Sequence, residues 1–139
     1  MARSFAILVS GFLCVAPAFA DDPVDCDNAM DQNTMTRCAG MDFEKADAEL
    51  NKVWKQAKGA AEDADAEYSS DLKGEAEALL KAQRGWLAYR DGQCELAGFE
   101  ARGGSMEPLL VNGCLAEMTK AHTQELQAII VGPAQVAVQ

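Results

Sequence analysis

Apolar residues recur along this chain at helical steps of three and four. No stretch alternates polar and apolar residues as a half-buried strand would. Three windows carry the helical pattern. In the first, about 34–60, Phe43, Ala46, Leu50, Val53, Trp54 and Ala57 form one apolar stripe, with Asn33 or Thr34 as the expected N-cap. In the second, about 70–97, setting residues at about 100° intervals places Leu72, Ala76, Leu79, Gln83, Trp86, Leu87, Arg90 and Cys94 on one face. Gly74 and Gly85 weaken this helix slightly, and Gly85 marks a place for a close helix approach. In the third, about 107–131, Val111, Cys114, Leu115, Met118, His122, Leu126 and Ile129 turn inward. Ser105 is its expected N-cap, Pro108 sits in its first turn, and Gly132-Pro133 ends it. The acidic, Ala-rich stretch 59–69 reads either as a turn or as an extension of the first helix. The connection 98–106 is short and Gly-rich, so the second and third helices are expected to be antiparallel neighbours. The expected fold class is all-α, a small antiparallel helical bundle of about three main helices.

The start of the chain departs from this pattern. Arg3 gives a positive beginning, Phe5 to Val15 is apolar, and Ala18-Phe19-Ala20 supplies the small residues of a signal-peptidase site. The apolar run is too short to span a bilayer. Residues 1–20 are therefore expected to be a removed secretion signal, 21–131 a single helical domain, and 132–139 a loose tail. A lipoprotein reading of Cys14 is disfavoured because Leu13, not a small residue, precedes it. The expected location is the periplasm or the exterior, without a membrane anchor once the signal is removed.

Export changes how the cysteines read. Signal removal takes Cys14 and leaves Cys26, Cys38, Cys94 and Cys114, an even set in an oxidising compartment, which implies two disulfides. No C-x-x-C spacing exists and His122 is the lone histidine, so neither zinc nor any other metal is expected. Four cysteines allow three pairings. Cys94 near the end of one helix and Cys114 near the start of the next favour Cys94–Cys114 across that hairpin. Cys26–Cys38 is the other favoured pair, with Cys26 in a leader that folds back, because in one straight helix the two would lie about 18 Å apart.

With 139 residues the chain is one domain long, and its net charge of −10 disfavours nucleic acid as a partner. Two polar positions interrupt the apolar stripes. Arg90 sits at the centre of the second stripe and Asp47 beside Leu50 and Trp54 in the first. A charge there is costly unless paired, so an Asp47–Arg90 ion pair is expected, with Gln83 or Asn51 completing its hydrogen bonds. If that pair is fully buried, losing one partner costs roughly 3–5 kcal/mol.

No catalytic constellation is evident. His122 has no Ser or Cys partner once the cysteines are oxidised, and a contact with Glu125 is its plain reading. Ser69, Ser70 and Ser105 lack a nucleophile-elbow context, and Glu75 and Glu77 are two apart and do not share a helix face. The expectation is a protein with no enzymatic activity and no cofactor. The run Glu62 to Asp71 reads as a solvated charged face.

The run from Ala82 to Cys94, AQRGWLAYRDGQC, resembles the signature of the LprI-like lysozyme inhibitor family. Cys26, Thr34-Met35, Cys38, Ala46-Asp47 and Leu50-Asn51 are similar to its opening pattern. Gly103-Gly104-Ser105, Cys114 and LAEMTKAHTQEL, ending at Leu126, are similar to its closing pattern. The resemblance spans nearly the whole domain, Cys26 to Leu126. His122 stands where the family usually has Arg, which would make its contact pH-sensitive, and Gly85 stands where Ala is more usual. The resemblance implies a small, secreted, helical protein that binds a cationic lysozyme, towards which an acidic chain is steered. The mechanism expected is steric, with a loop entering the enzyme's cleft. The candidate loop is 98–107, carrying Phe99, Glu100, Arg102, Gly103, Gly104, Ser105 and Glu107 and held at its base by Cys94–Cys114. The other reading is a periplasmic interaction or envelope-stress module that does not act on lysozyme.

Overall fold

The computed structural model describes residues 24–131, and the expected signal, Cys14 and the tail from 132 lie outside them. Three helices follow one another: α1 (Gln32–Glu67), α2 (Glu75–Gly98) and α3 (Glu107–Val131), with one 3-10 turn at Phe99–Ala101. Among the described residues there is no strand. No described helix is long and apolar enough to cross a membrane.

Side-chain pairs set the directions. Asp47 meets Arg90, and Asp65 meets the start of α2, so α1 and α2 are antiparallel. Cys94–Cys114, Arg90–Thr119 and Gln83–His122 step in opposite senses along α2 and α3, which are antiparallel as well. α1 and α3 thus run parallel, and Gly40 lies against Asn112. The result is an up-down-up antiparallel bundle stapled by Cys26–Cys38 and Cys94–Cys114, with Cα–Cα distances of 5.6 and 5.4 Å. Cys26 reaches Cys38 because the leader folds back before α1 begins.

Helix ends differ from the sequence expectation. Asp31 is the N-cap of α1 and accepts from the Thr34 N–H at 2.9 Å, so neither Asn33 nor Thr34 caps it. The helix continues through the Ala-rich stretch to Glu67. α2 opens at Glu75, not near Ser70, which leaves Leu72 in the turn and 66% exposed. Asp65, inside the supposed solvated run, explains the late start. Its carboxylate accepts from the N–H groups of Gly74, Glu75 and Ala76 at 2.8, 2.9 and 3.1 Å. It thereby caps α2 from the end of α1, where the unpaired N–H groups concentrate positive charge. These bonds, the one from Gly74 foremost, hold the Asp65 carboxyl below the usual carboxylate range. α3 opens where the Met106 carbonyl takes the Leu110 N–H, one residue past Ser105.

The core divides in two along the bundle. Leu50, Val53, Ala57, Ala61, Leu79 and Leu126 pack together with Trp54, Ala76, Trp86 and Ile130 in the half away from the 98–107 connection. Ile130 takes the inward place expected of Ile129, which is 44% exposed. The half nearer the connection holds both cystines and a polar column. Arg90 is buried there. Its guanidinium contacts Asp91 at 2.8 Å, Thr119 at 3.3 Å and Asp47 at 3.5 Å, and lies over the Trp86 and Phe43 rings. Asn51 donates to Asp47 at 2.8 Å. Gln83 does not join this group and instead meets His122 Nε2 at 2.9 Å. The expected Asp47–Arg90 pair is present, but with the Asp47 side chain 40% exposed it is only partly buried. Among the described residues every buried side-chain nitrogen and oxygen has a partner.

These contacts set two expectations. Arg90 fills a shared space between two rings, so Arg90→Ala is expected to lower stability by about 2–4 kcal/mol. Asp47→Ala removes only a half-exposed partner and is expected to cost about 1 kcal/mol. Urea unfolding of the two variants measures both, and equal losses would refute the asymmetry. For Asp65 the pKa is depressed on folding, so its stabilisation is complete above the unfolded value near 4 and is lost as pH falls through the lower folded value. Asp65→Ala is therefore expected to lower the Tm at neutral pH, with the gap to wild type closing below about pH 4. A gap independent of pH would contradict the cap.

Candidate functional site

The connection from Gly98 to Glu107 is a fastened structure, not a slack loop. Gly98 ends α2 against α3, and a Cβ there would sit 2.7 Å from Val111 Cγ2, so only glycine permits this approach. One helical turn before it, Cys94 is bonded to Cys114. The chain then makes the 3-10 turn Phe99–Ala101 and reverses through Gly103, whose φ of +76° suits glycine. Gly103 N–H donates to the Glu107 carboxylate at 2.6 Å, Gly104 N–H to the Ala101 carbonyl at 2.8 Å, and Glu107 N–H to the Gly104 carbonyl at 3.2 Å. Glu107 at the start of α3 thus closes the loop and places negative charge at the helix N-terminus.

On the outer side, Arg102 stacks its guanidinium 4.1 Å above the Phe99 ring. Its remaining reach goes to Glu107 at 3.8 Å and Glu95 at 3.9 Å. Phe99 is 51% exposed and Met106 47% exposed. A shallow concavity of about 480 Å³ is lined by Phe99, Glu100, Ala101, Arg102, Gly104, Ser105 and Met106. Beside it a second hollow of about 390 Å³ is formed by Ser105 and Pro108 with Gln32, Asn33 and Thr36 of α1. The parallel run of α1 and α3 brings the start of α1 next to the loop. This end of the bundle therefore joins the loop, the first turn of α1 and both cystines.

The predicted site residues fall into two places. Phe99, Glu100, Arg102, Gly103, Gly104, Ser105 and Glu107 lie together at this end. Asp47, Asn51 and Arg90 form the internal column, and Gln83 lies further along, against His122. The His122 ring stacks on Trp86 with centroids 3.9 Å apart, and its Nδ1 meets Glu125 at 2.7 Å. Gly85 does not serve a close approach inside the bundle, since a Cβ there meets nothing within 4 Å. Sequence reasoning missed Asp91 and Thr119 as partners of Arg90, and the Trp86 stack on His122. The spacing of Trp86 and Arg90 by one turn was a visible signal for the cation–π contact.

Three comparisons bear on what the chain is. Residues 26–126 match the family described as Lysozyme inhibitor LprI. An uncharacterized protein of Rhizobium meliloti (strain 1021) is 52% identical over 125 residues, covering 84% of this chain and 87% of the relative. No solved structure matches. The family is named for an inhibitor and not for a catalyst, and the chain belongs to the LprI lysozyme-inhibitor family.

Proposed function

We propose that the protein is exported to the periplasm or beyond, where it blocks a cationic lysozyme by covering the enzyme's cleft. Residues 1–20 act as the secretion signal, 21–131 form the working domain and 132–139 its tail. The observation that carries this reading is the braced loop itself. Phe99 and Arg102 stand out together as an aromatic–guanidinium pair on a segment tied at its base by Cys94–Cys114. Aromatic and arginine side chains supply most hot spots in protein interfaces. A loop already held in shape loses little conformational freedom on binding. Family membership supports lysozyme as the target, and a net charge of −10 would draw a basic enzyme by long-range attraction. Steric exclusion asks for no group transfer. The loop occupies the groove that the sugar chain would use, and Phe99 lies on its apolar surface.

The test is clearance of cell-wall suspensions by chicken-type, goose-type and phage-type lysozymes with the disulfide-bonded protein present. Inhibition of one type, weakening with added salt, is expected. Phe99→Ala and Arg102→Ala are each expected to raise the inhibitory concentration about tenfold or more, the scale of a hot-spot loss. Unchanged inhibition in both variants would remove the loop from the mechanism. Indifference of all three enzymes would favour an interaction module with another partner.

A further inference from the structure

α2 carries a second seam on its outer side. Ala78, Ala82, Gly85, Tyr89, Gly92 and Leu96 follow one another at steps of four, three, four, three and four. That spacing is the signature of a helix that packs against another helix along its length. All six residues are exposed, Tyr89 and Leu96 each by 61%. A Cβ on Gly85 or Gly92 would meet nothing within 4 Å. On a chain with 24% charged residues, this strip contains none. The inner face of the same helix, through Leu79, Gln83, Arg90 and Cys94, already serves the bundle.

We propose that this outer seam pairs with the same seam of a second copy, antiparallel, about a two-fold axis near Ala88. The pattern of sizes selects that arrangement. In it Tyr89 packs over Gly85 of the second copy, Leu96 over Ala78, and Ala82 over Gly92, so a large residue meets a small one where bulk exists. A parallel pair would instead set Tyr89 on Tyr89 and glycine on glycine. The flanks select the same arrangement. Lys81, Ala88 and Glu95 line one edge of the seam at intervals of seven, and the two-fold axis brings Lys81 of each copy to Glu95 of the other. Within its own chain Glu95 has Arg102 at 3.9 Å, a loose contact that leaves the carboxylate 70% exposed. The opposite edge, through Trp86 and Gln93, is uncharged. Two chains of charge −10 repel each other over most of their surfaces, and this seam is where they approach without stacking like charges.

The seam is about 27 Å long and one helix wide, towards the low end of specific interfaces, so the dimer is expected to dissociate on dilution. Phe99 follows Leu96 at the next step of three, and in this register it faces Glu75 of the second copy at the edge of the seam.

Sedimentation velocity of the disulfide-bonded full chain, over a concentration series at physiological salt, tests the proposal. A reversible monomer–dimer equilibrium is expected. Tyr89→Glu is expected to leave a monomer with unchanged circular dichroism, because the side chain is exposed. Lys81→Glu or Glu95→Lys alone should raise the dissociation constant about tenfold, and the double exchange should return it to within about threefold of wild type. A chain that stays monomeric throughout overturns the proposal, as does a dimer indifferent to Tyr89→Glu or a double exchange that restores nothing. A monomer whose Tyr89→Glu variant loses lysozyme inhibition would assign the seam to the enzyme, and also overturns it.

Discussion

The bond between Cys94 and Cys114 is the constraint on which the rest of the molecule depends. It pins the end of α2 to the start of α3 at the point where apolar packing has run out. The large apolar side chains, from Leu50 and Val53 to Leu79 and Leu126, gather in the opposite half of the bundle. Around the loop the fully buried residues are mostly small, Gly98, Ala46, Ala116, Thr119 and Cys94 of the cystine. A small domain with so little apolar contact at one end needs a covalent link there. With the link in place, α2 and α3 approach closely enough that Gly98 touches Val111, and the connection between them becomes a short, internally bonded turn.

The polar column between the helices belongs to the same design. Arg90 touches all three helices at once, through Phe43 and Asp47 of α1, Trp86 and Asp91 of α2 and Thr119 of α3. Directional contacts of this kind fix the register of helices in a way that interchangeable apolar side chains do not. Further along, Gln83 and His122 form another rung, with the imidazole stacked on Trp86. Together with the cystine these rungs align α2 with α3, and the position of the loop follows from that alignment.

Periodicity made the three helices and their inner faces legible, because an apolar stripe on a helix has few places to go. Both disulfides followed from helix ends and the impossibility of bridging twelve residues of straight helix. The boundaries read less well for a physical reason: they are set by contacts remote in sequence. Asp65 caps α2 from nine residues upstream of Gly74, across a turn, and no local pattern announces that. The partners of Arg90 were half legible. Asp47 was visible as a charge in an apolar stripe, whereas Thr119 is an ordinary helix residue until α3 is docked. Gly85 looked like a contact point, but a Cβ there would meet nothing within 4 Å. At the candidate site the loop's residues were legible as a group, but the stacking of Arg102 on Phe99 and the closure by Glu107 depend on the turn that Gly103 makes.

The bundle thus has an apolar half that provides stability and a cross-linked half that holds the 98–107 connection in shape. Amide hydrogen exchange on a chain carrying Cys94→Ala and Cys114→Ala tests that division most directly. Protection should fall sharply from Arg90 to Met118 and across the loop, while the segments around Leu50–Ala61, Leu79 and Leu126 keep theirs. Protection lost evenly along all three helices, or not lost at all, would contradict it.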